Sequence, residues 1–178
     1  MAQSDLMPTS ISLGSTSVAA GGSLPAAPTP TEYFDASYAA YAQNTSSAPS
    51  GMTLLFSSDS SELSDGFFAQ AFEDSNGNVI IAFEGTVQDN TAYGKATQAA
   101  DAGILGGNLL LQPTAPTQIL QDAYAFAFSV VATDALTGIS GATYVTGHSL
   151  GGYEAEYVAQ QLPSSISLPI RLKQVAPR

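Results

Sequence analysis

Thr143-Tyr144-Val145-Thr146-Gly147-His148-Ser149-Leu150-Gly151-Gly152-Tyr153 is the stretch from which the rest of the chain is best read. A β-branched and aromatic run predicts a short strand, and the residues after Gly152 favour a helix, so the chain passes from strand to helix through Gly-His-Ser-Leu-Gly. In a G-x-S-x-G turn the serine backbone is strained and the flanking glycines leave room for neighbouring main chain. Gly147 and Gly151 fill those two places around Ser149. Such a turn lifts the serine Oγ above the end of the sheet and points the first amides of the next helix at any anion formed beside it. With 16 Gly and 22 Ser in 178 residues the bare pattern is weak, and its context decides. That context is the strand before the turn and the amphipathic segment from Tyr153 to Leu162 after it.

Upstream, residues 66–73 and 78–83 flank Asn76-Gly77, a strong hairpin signal. Asp74-Ser75-Asn76-Gly77-Asn78 superficially suggests a calcium loop. Its glycine falls one place early and no glutamate occupies the twelfth position, so it reads as a turn. Val79-Ile80-Ile81-Ala82-Phe83 is apolar on both faces, as a central strand covered by helices must be. Thr29-Pro30-Thr31-Glu32 forms a capping box with proline at the first helical position. It predicts a helix to about Gln43, with Phe34, Tyr38 and Tyr41 as an aromatic stripe packed in the core. Residues 1–28 are rich in Ser, Thr, Ala, Gly and Pro and read as a flexible or loosely attached leader. Tyr93 to Ile104 suits a helix, and the Gly106-Gly107 and Leu109-Leu110-Leu111 that follow suit either a cover over a site or ordinary packing. A mostly apolar helix, covered over most of its surface, is expected from Pro116 to about Leu136. It completes a β-α-β-α order with a right-handed crossover.

Composition narrows the function classes. The length suits one domain. Cysteine is absent, which removes disulfides and thiol chemistry. The net charge is −11, and Lys95 is the only basic side chain before Arg171, so no patch exists to neutralise phosphates or an anionic membrane surface. Nucleic acid is therefore excluded as a natural partner. No apolar run reaches the length of a membrane span, so stable membrane insertion is not expected. The N-terminus lacks the charged and apolar regions of a signal peptide. The acidic, lysine-poor, Ala/Ser/Gly/Thr-rich composition nevertheless suits a secreted bacterial enzyme.

Gly147-His148-Ser149-Leu150-Gly151-Gly152 resembles the nucleophile elbow of α/β-hydrolase lipases and esterases. Ile80-Ile81-Ala82-Phe83-Glu84-Gly85-Thr86 resembles the strand-to-loop segment that precedes the elbow in fungal-type (class 3) lipases. The resemblance covers about residues 66–178. It implies an α/β-hydrolase fold, a mostly parallel sheet with helices on both faces, of which residues 29–178 form the N-terminal part. It also implies hydrolysis of carboxylic esters, lipid esters among them. Ser149 is then the nucleophile, and the backbone N–H groups of Leu150 and Thr86 form the oxyanion hole, with the Thr86 hydroxyl as a possible further donor. No metal and no cofactor are implied. Glu84 departs from the family, which usually carries arginine there.

A serine esterase also needs a base and an acid, which in this fold follow the nucleophile in the order Asp or Glu, then His. Neither an aspartate nor a histidine follows Ser149, and the sole histidine, His148, is its neighbour, with a ring expected to point away from Oγ. Glu154 and Glu156 read as solvated charges near a helix N-terminus. A further strand is suggested at Ile170 to Val175, and Val175-Ala176-Pro177-Arg178 resembles the close of the next strand in class 3 lipases. The chain is thus expected to be the N-terminal piece of a hydrolase, truncated or nicked, whose acid and base lie on a C-terminal segment held non-covalently. The alternative is a catalytically inactive hydrolase scaffold kept as a binding or surface module.

Overall fold

A computed structural model describes residues 25–41, 48–58, 66–109, 117–137, 141–162 and 166–167, excepting the side chains of 105–109, 135–137 and 166–167. The elements in chain order are α1 (Pro30–Ala40), β1 (Thr53–Ser57), β2 (Ala69–Glu73), β3 (Val79–Phe83), α2 (Ala92–Leu109), α3 (Gln118–Thr137), β4 (Thr143–Gly147), α4 (Leu150–Gln161) and β5 (Ile166–Ser167). The strands form one sheet in the order β1-β2-β3-β4-β5.

The predicted hairpin organises the first half of the sheet. β2 and β3 pair antiparallel with Glu73 opposite Val79, and Gly77 takes the positive φ of +78° that the turn demands. Asp74 is consumed by this turn: its Oδ1 accepts from the Asn76 and Asn78 amides and its Oδ2 from the Asn78 side chain. Asn78, fully buried, also donates to the Ala26 carbonyl and accepts from the Ala142 amide. One side chain therefore joins the hairpin, the start of β4 and the residues leading into α1. Ala26 is so fastened, and Pro28 is buried, within the stretch read as leader; residues 1–24 lie outside the described residues.

The sheet is mixed rather than mostly parallel. β1-β2 and β2-β3 are antiparallel, whereas β3-β4 and the two-residue β4-β5 pairing are parallel. The two-residue turn at Asn76-Gly77 sends the chain straight back beside itself, and only a long crossover such as that through α2 and α3 can make a parallel neighbour. Helices cover both faces, as expected. Val79, Ile81 and Phe83 join Val145 and the inner sides of α3 and α4 in the larger core. Ile80, Ala82 and Phe72 face Tyr33, Ala36 and Ala40 of α1 on the other side. The fully buried β3 is the central strand its sequence announces.

Two expectations fail on the helices. The capping box of α1 forms, with Glu32 Oε2 accepting from the Thr29 amide at 2.6 Å, but the helix ends at Ala40. Phe34 and Tyr38 point outward, 60% and 71% exposed, and stack on each other. The helix buries Tyr33 together with the small residues Ala36, Ser37 and Ala40, which let its backbone approach the sheet closely, and Phe34 and Tyr38 lie on the other face. α3 likewise covers only one side: Ala123, Ala127 and Val130 are buried, while Phe128 is 54% exposed and stacks on Tyr124. The apolar composition of α3 exceeds what its neighbours cover. The strand suggested at Ile170 to Val175 and the leucines Leu110 and Leu111 lie outside the described residues.

Truncating Ile81 to alanine should cost about 2–5 kcal/mol, whereas Phe34→Ser should change stability by no more than about 0.5 kcal/mol, in denaturant unfolding followed by far-UV circular dichroism. Comparable losses for the two would place the α1 aromatics in the core after all.

Candidate active site

Ser149 stands where β4 ends and α4 begins, with φ 55° and ψ −121°. It is the only non-glycine residue with positive φ among the described residues. A side chain held there costs of order 1–3 kcal/mol and persists only when its surroundings enforce it. The enforcing contacts are main-chain contacts. A Cβ on Gly147 would fall 2.2 Å from the Gly151 carbonyl oxygen, and one on Gly151 would fall 2.3 Å from the Phe83 carbonyl oxygen. The turn is thus folded tightly on itself and pressed against the end of β3. Both sequence-predicted elbow glycines are required by space.

The half-buried Ser149 is the N-cap of α4, yet its side chain makes no capping hydrogen bond, so the hydroxyl is not spent on the helix. The Gly151 and Gly152 amides bond back to the His148 and Ser149 carbonyls at 3.1 and 2.9 Å. Leu150, wholly buried, opens the helix, and a first-turn amide has no carbonyl within the helix to bond. An anion held beside Ser149 would meet this positive end of α4.

The second loop comes from β3. The last parallel register pair is Phe83 with Gly147, so Glu84-Gly85-Thr86 leaves the sheet next to the elbow. A Cβ on Gly85 would lie 2.4 Å from the His148 carbonyl oxygen, which shows how closely the loops approach. The Thr86 hydroxyl donates to Asp101 Oδ2 at 3.1 Å and is not the extra free donor anticipated. Its candidate contribution is the main-chain amide. The loop is strapped to one stripe of α2, in which Tyr93, Thr97 and Asp101 recur every four residues. Tyr93 donates to Glu84, Thr97 Oγ1 accepts from the Val87 amide at 2.9 Å, and Asp101 holds Thr86.

Several charged and aromatic groups at this end were not legible as such. Glu84 is 2% exposed; burial pushes its carboxyl up to about 7, with Asp89 adding to the rise and the Tyr93 bond opposing it. Glu84 Oε2 has Tyr93, but Oε1 has no hydrogen-bond partner. Glu154, expected to be solvated, is 1% exposed because it shares the inward stripe of α4 with Leu150, Gly151, Ala155 and Val158; Glu156 on the same helix is half-buried. His148 is exposed, and its Nδ1 lies 3.0 Å from the Tyr41 hydroxyl at the end of α1. A glutamate directly after five apolar strand residues was the available signal for Glu84. Nothing local pointed to Tyr41, which reaches the site only through the packing of α1 on the sheet.

The sheet thus gathers Ser149, Leu150 and Thr86 at one end, with Gly147 and Gly151 beneath them. His148, the chain's sole imidazole, is exposed and has its Nδ1 against the Tyr41 hydroxyl. Among the described residues no cluster of side chains suits a metal ion. Comparison of the chain with protein-family models and with curated proteins gives no match.

Replacing Gly147 or Gly151 by alanine should destabilise the fold by at least about 2 kcal/mol, because the obstructing atoms are backbone. Gly103→Ala on α2, where a Cβ meets open space, should be neutral or stabilising by up to about 1 kcal/mol. Thermal unfolding of the three variants checks the contrast.

Glu84 makes a separate prediction about pH. Its folded value near 7 exceeds its ordinary 4.5, so the folded state holds the proton more tightly and stability falls as pH rises from about 4.5 to 7. Glu84→Gln removes that fall: the variant should melt higher than the parent at pH 8, and the gap should close by pH 4. A gap independent of pH would show that Glu84 does not titrate in this window.

Proposed function

We propose that the chain is the nucleophile-bearing part of an α/β-hydrolase that cleaves carboxylic esters through an acyl-enzyme on Ser149. The observation that carries this reading is the enforced positive φ of Ser149, at a strand-to-helix turn between two glycines that tolerate no Cβ. Backbone strain of this kind is held at sites that use it, and here it presents an unengaged hydroxyl beside a helix N-terminus. In the reaction Ser149 Oγ attacks the ester carbonyl carbon while its proton passes to a base. The carbonyl oxygen becomes an oxyanion facing the Leu150 and Thr86 amides. Collapse expels the alcohol, which takes up the proton, and water later releases the acid by the same route.

The base and the acid that orients it come, on this reading, from a segment outside residues 1–178. His148 faces Tyr41, and the buried Glu84 and Glu154 belong to the framework under the loops. That segment is held non-covalently, since this chain has no cysteine. The substrate is an ester or lipid met outside the cell, in keeping with the acidic, cation-poor composition. Among the described residues no helix is long and apolar enough to cross a membrane.

A chromogenic ester series of increasing acyl length, run on the native protein with that segment present, tests the proposal. Ser149→Ala should lower kcat by on the order of 10⁴- to 10⁶-fold while the protein stays folded. Residues 1–178 alone should show only the small acceleration left by binding and the oxyanion hole. Undiminished turnover in Ser149→Ala would remove Ser149 from the mechanism, and inert native protein would favour a non-catalytic binding module. Best turnover at long acyl chains would mark a lipase rather than an esterase.

A further inference from the structure

The Tyr41 side chain occupies a place that neither the elbow nor the oxyanion loop accounts for. Tyr41 is the C-cap residue of α1, and that helix is fixed to the elbow strand by a buried hydrogen bond of 2.9 Å between Ser37 Oγ and Thr146 Oγ1. From this anchored end the phenol reaches between the two loops. Its oxygen is 3.0 Å from His148 Nδ1, and the rings stand 6.2 Å apart at 57°. On the other side the Gly85 backbone lies directly against the same oxygen. A Cβ on Gly85 would fall 1.9 Å from it and 2.4 Å from the His148 carbonyl oxygen, so the phenol and the elbow together leave room only for glycine.

The surroundings keep this phenol neutral. Burial and the nearby acids Glu84, Asp101 and Glu154, from the end of β3, from α2 and from α4, push it up to about 12. It is therefore an O–H throughout the range in which an esterase works. The phenol O–H has His148 Nδ1 as an acceptor in reach. The imidazole then carries its proton on Nε2.

We propose that Tyr41 is a positioning residue for acyl transfer at Ser149: its single hydroxyl sets the spacing between the oxyanion loop at Gly85 and the elbow at His148, and holds His148 in the Nε2–H tautomer. This rests on the reading of Ser149 as nucleophile. The hole on that reading is built from one amide of each loop, Thr86 and Leu150, and the residues next to Thr86 and Ser149 are the two that Tyr41 joins. A group that fixes this spacing acts on the transition state and leaves ester binding alone. Misplacing reacting groups by about 1 Å costs roughly 10²-fold in rate.

The test removes one oxygen. Tyr41→Phe in the native protein, with its base-bearing segment present, should lower kcat roughly 10- to 100-fold with KM unchanged. The rate of Ser149 labelling by a fluorophosphonate should fall in parallel. In the ¹⁵N-histidine spectrum the His148 resonances, identified by their loss in His148→Asn, should show the Nε2–H tautomer in the parent and a tautomer mixture in Tyr41→Phe. His148→Asn, whose side-chain oxygen can accept from Tyr41 in place of Nδ1, should keep most of kcat. His148→Ala should fall as far as Tyr41→Phe. This histidine pair also decides the matter if Tyr41→Phe fails to fold. Parental kcat in Tyr41→Phe, an unchanged His148 spectrum, or equal losses in the two histidine variants would overturn the proposal. Turnover surviving Ser149→Ala would instead overturn the reading of Ser149, so the two failures are told apart.

Discussion

The contact on which the site depends is between main chain and main chain: the first turn of α4 lies against the carbonyl end of β3, with Gly151 directly over the Phe83 and Glu84 carbonyls. There is no space for a side chain at that contact, so Gly151 must be glycine, and Gly147 must be glycine because the turn doubles back on Gly151. Once α4 starts that close to β3, the residue joining β4 to α4 has no relaxed path, and Ser149 takes a positive φ. The strain is of order 1–3 kcal/mol and is offset by ordinary burial nearby, where Phe83, Val145, Leu150 and Val158 are wholly enclosed in one core.

The parallel pairing of β3 with β4 carries this contact into the site. Phe83 and Gly147 are the last register pair, so the chain leaves both strands at the same level, and the loops that follow face each other. Each is then held from a different side: α2 straps Glu84, Thr86 and Val87, and α1 brings Tyr41 between Gly85 and His148. A chain of net charge −11 has placed two carboxylates, Glu84 and Glu154, in the low-dielectric ground beneath these loops. A full negative charge there would oppose an oxyanion above it. The Glu84 carboxyl, pushed up to about 7, and the Tyr41 phenol, kept as O–H, lessen that charge.

What the sequence disclosed, and what it did not, follows from the range of the forces involved. The capping box at Thr29, the turn at Asn76-Gly77 and the Gly147 contact with Gly151 are local, each set by backbone geometry within a few residues, and all stand in the structure; Gly151 was legible from the same motif although its obstruction comes from β3. The fully apolar β3 announced its burial on both faces. The mixed sheet was missed because the family resemblance suggested parallel neighbours, while the hairpin already required an antiparallel one. The outward Phe34 and Tyr38, the inward Glu154 and the Tyr41 bridge depend on how closely α1 and α4 sit on the sheet. Periodicity gives the faces of a helix but not which of them the tertiary packing turns to the sheet. Of the site itself, Ser149, Gly147 and Gly151 could be named in advance; the groups that hold the two loops could not.

The central claim is that the strained elbow serves a reactive serine, and the most direct measurement is mass-spectrometric mapping of a fluorophosphonate adduct on the native protein. Activated by its base, Ser149 should carry the adduct stoichiometrically, and no other of the chain's serines should carry it after brief exposure. An unlabelled Ser149 in folded native protein, or an adduct on a different serine, would contradict the account.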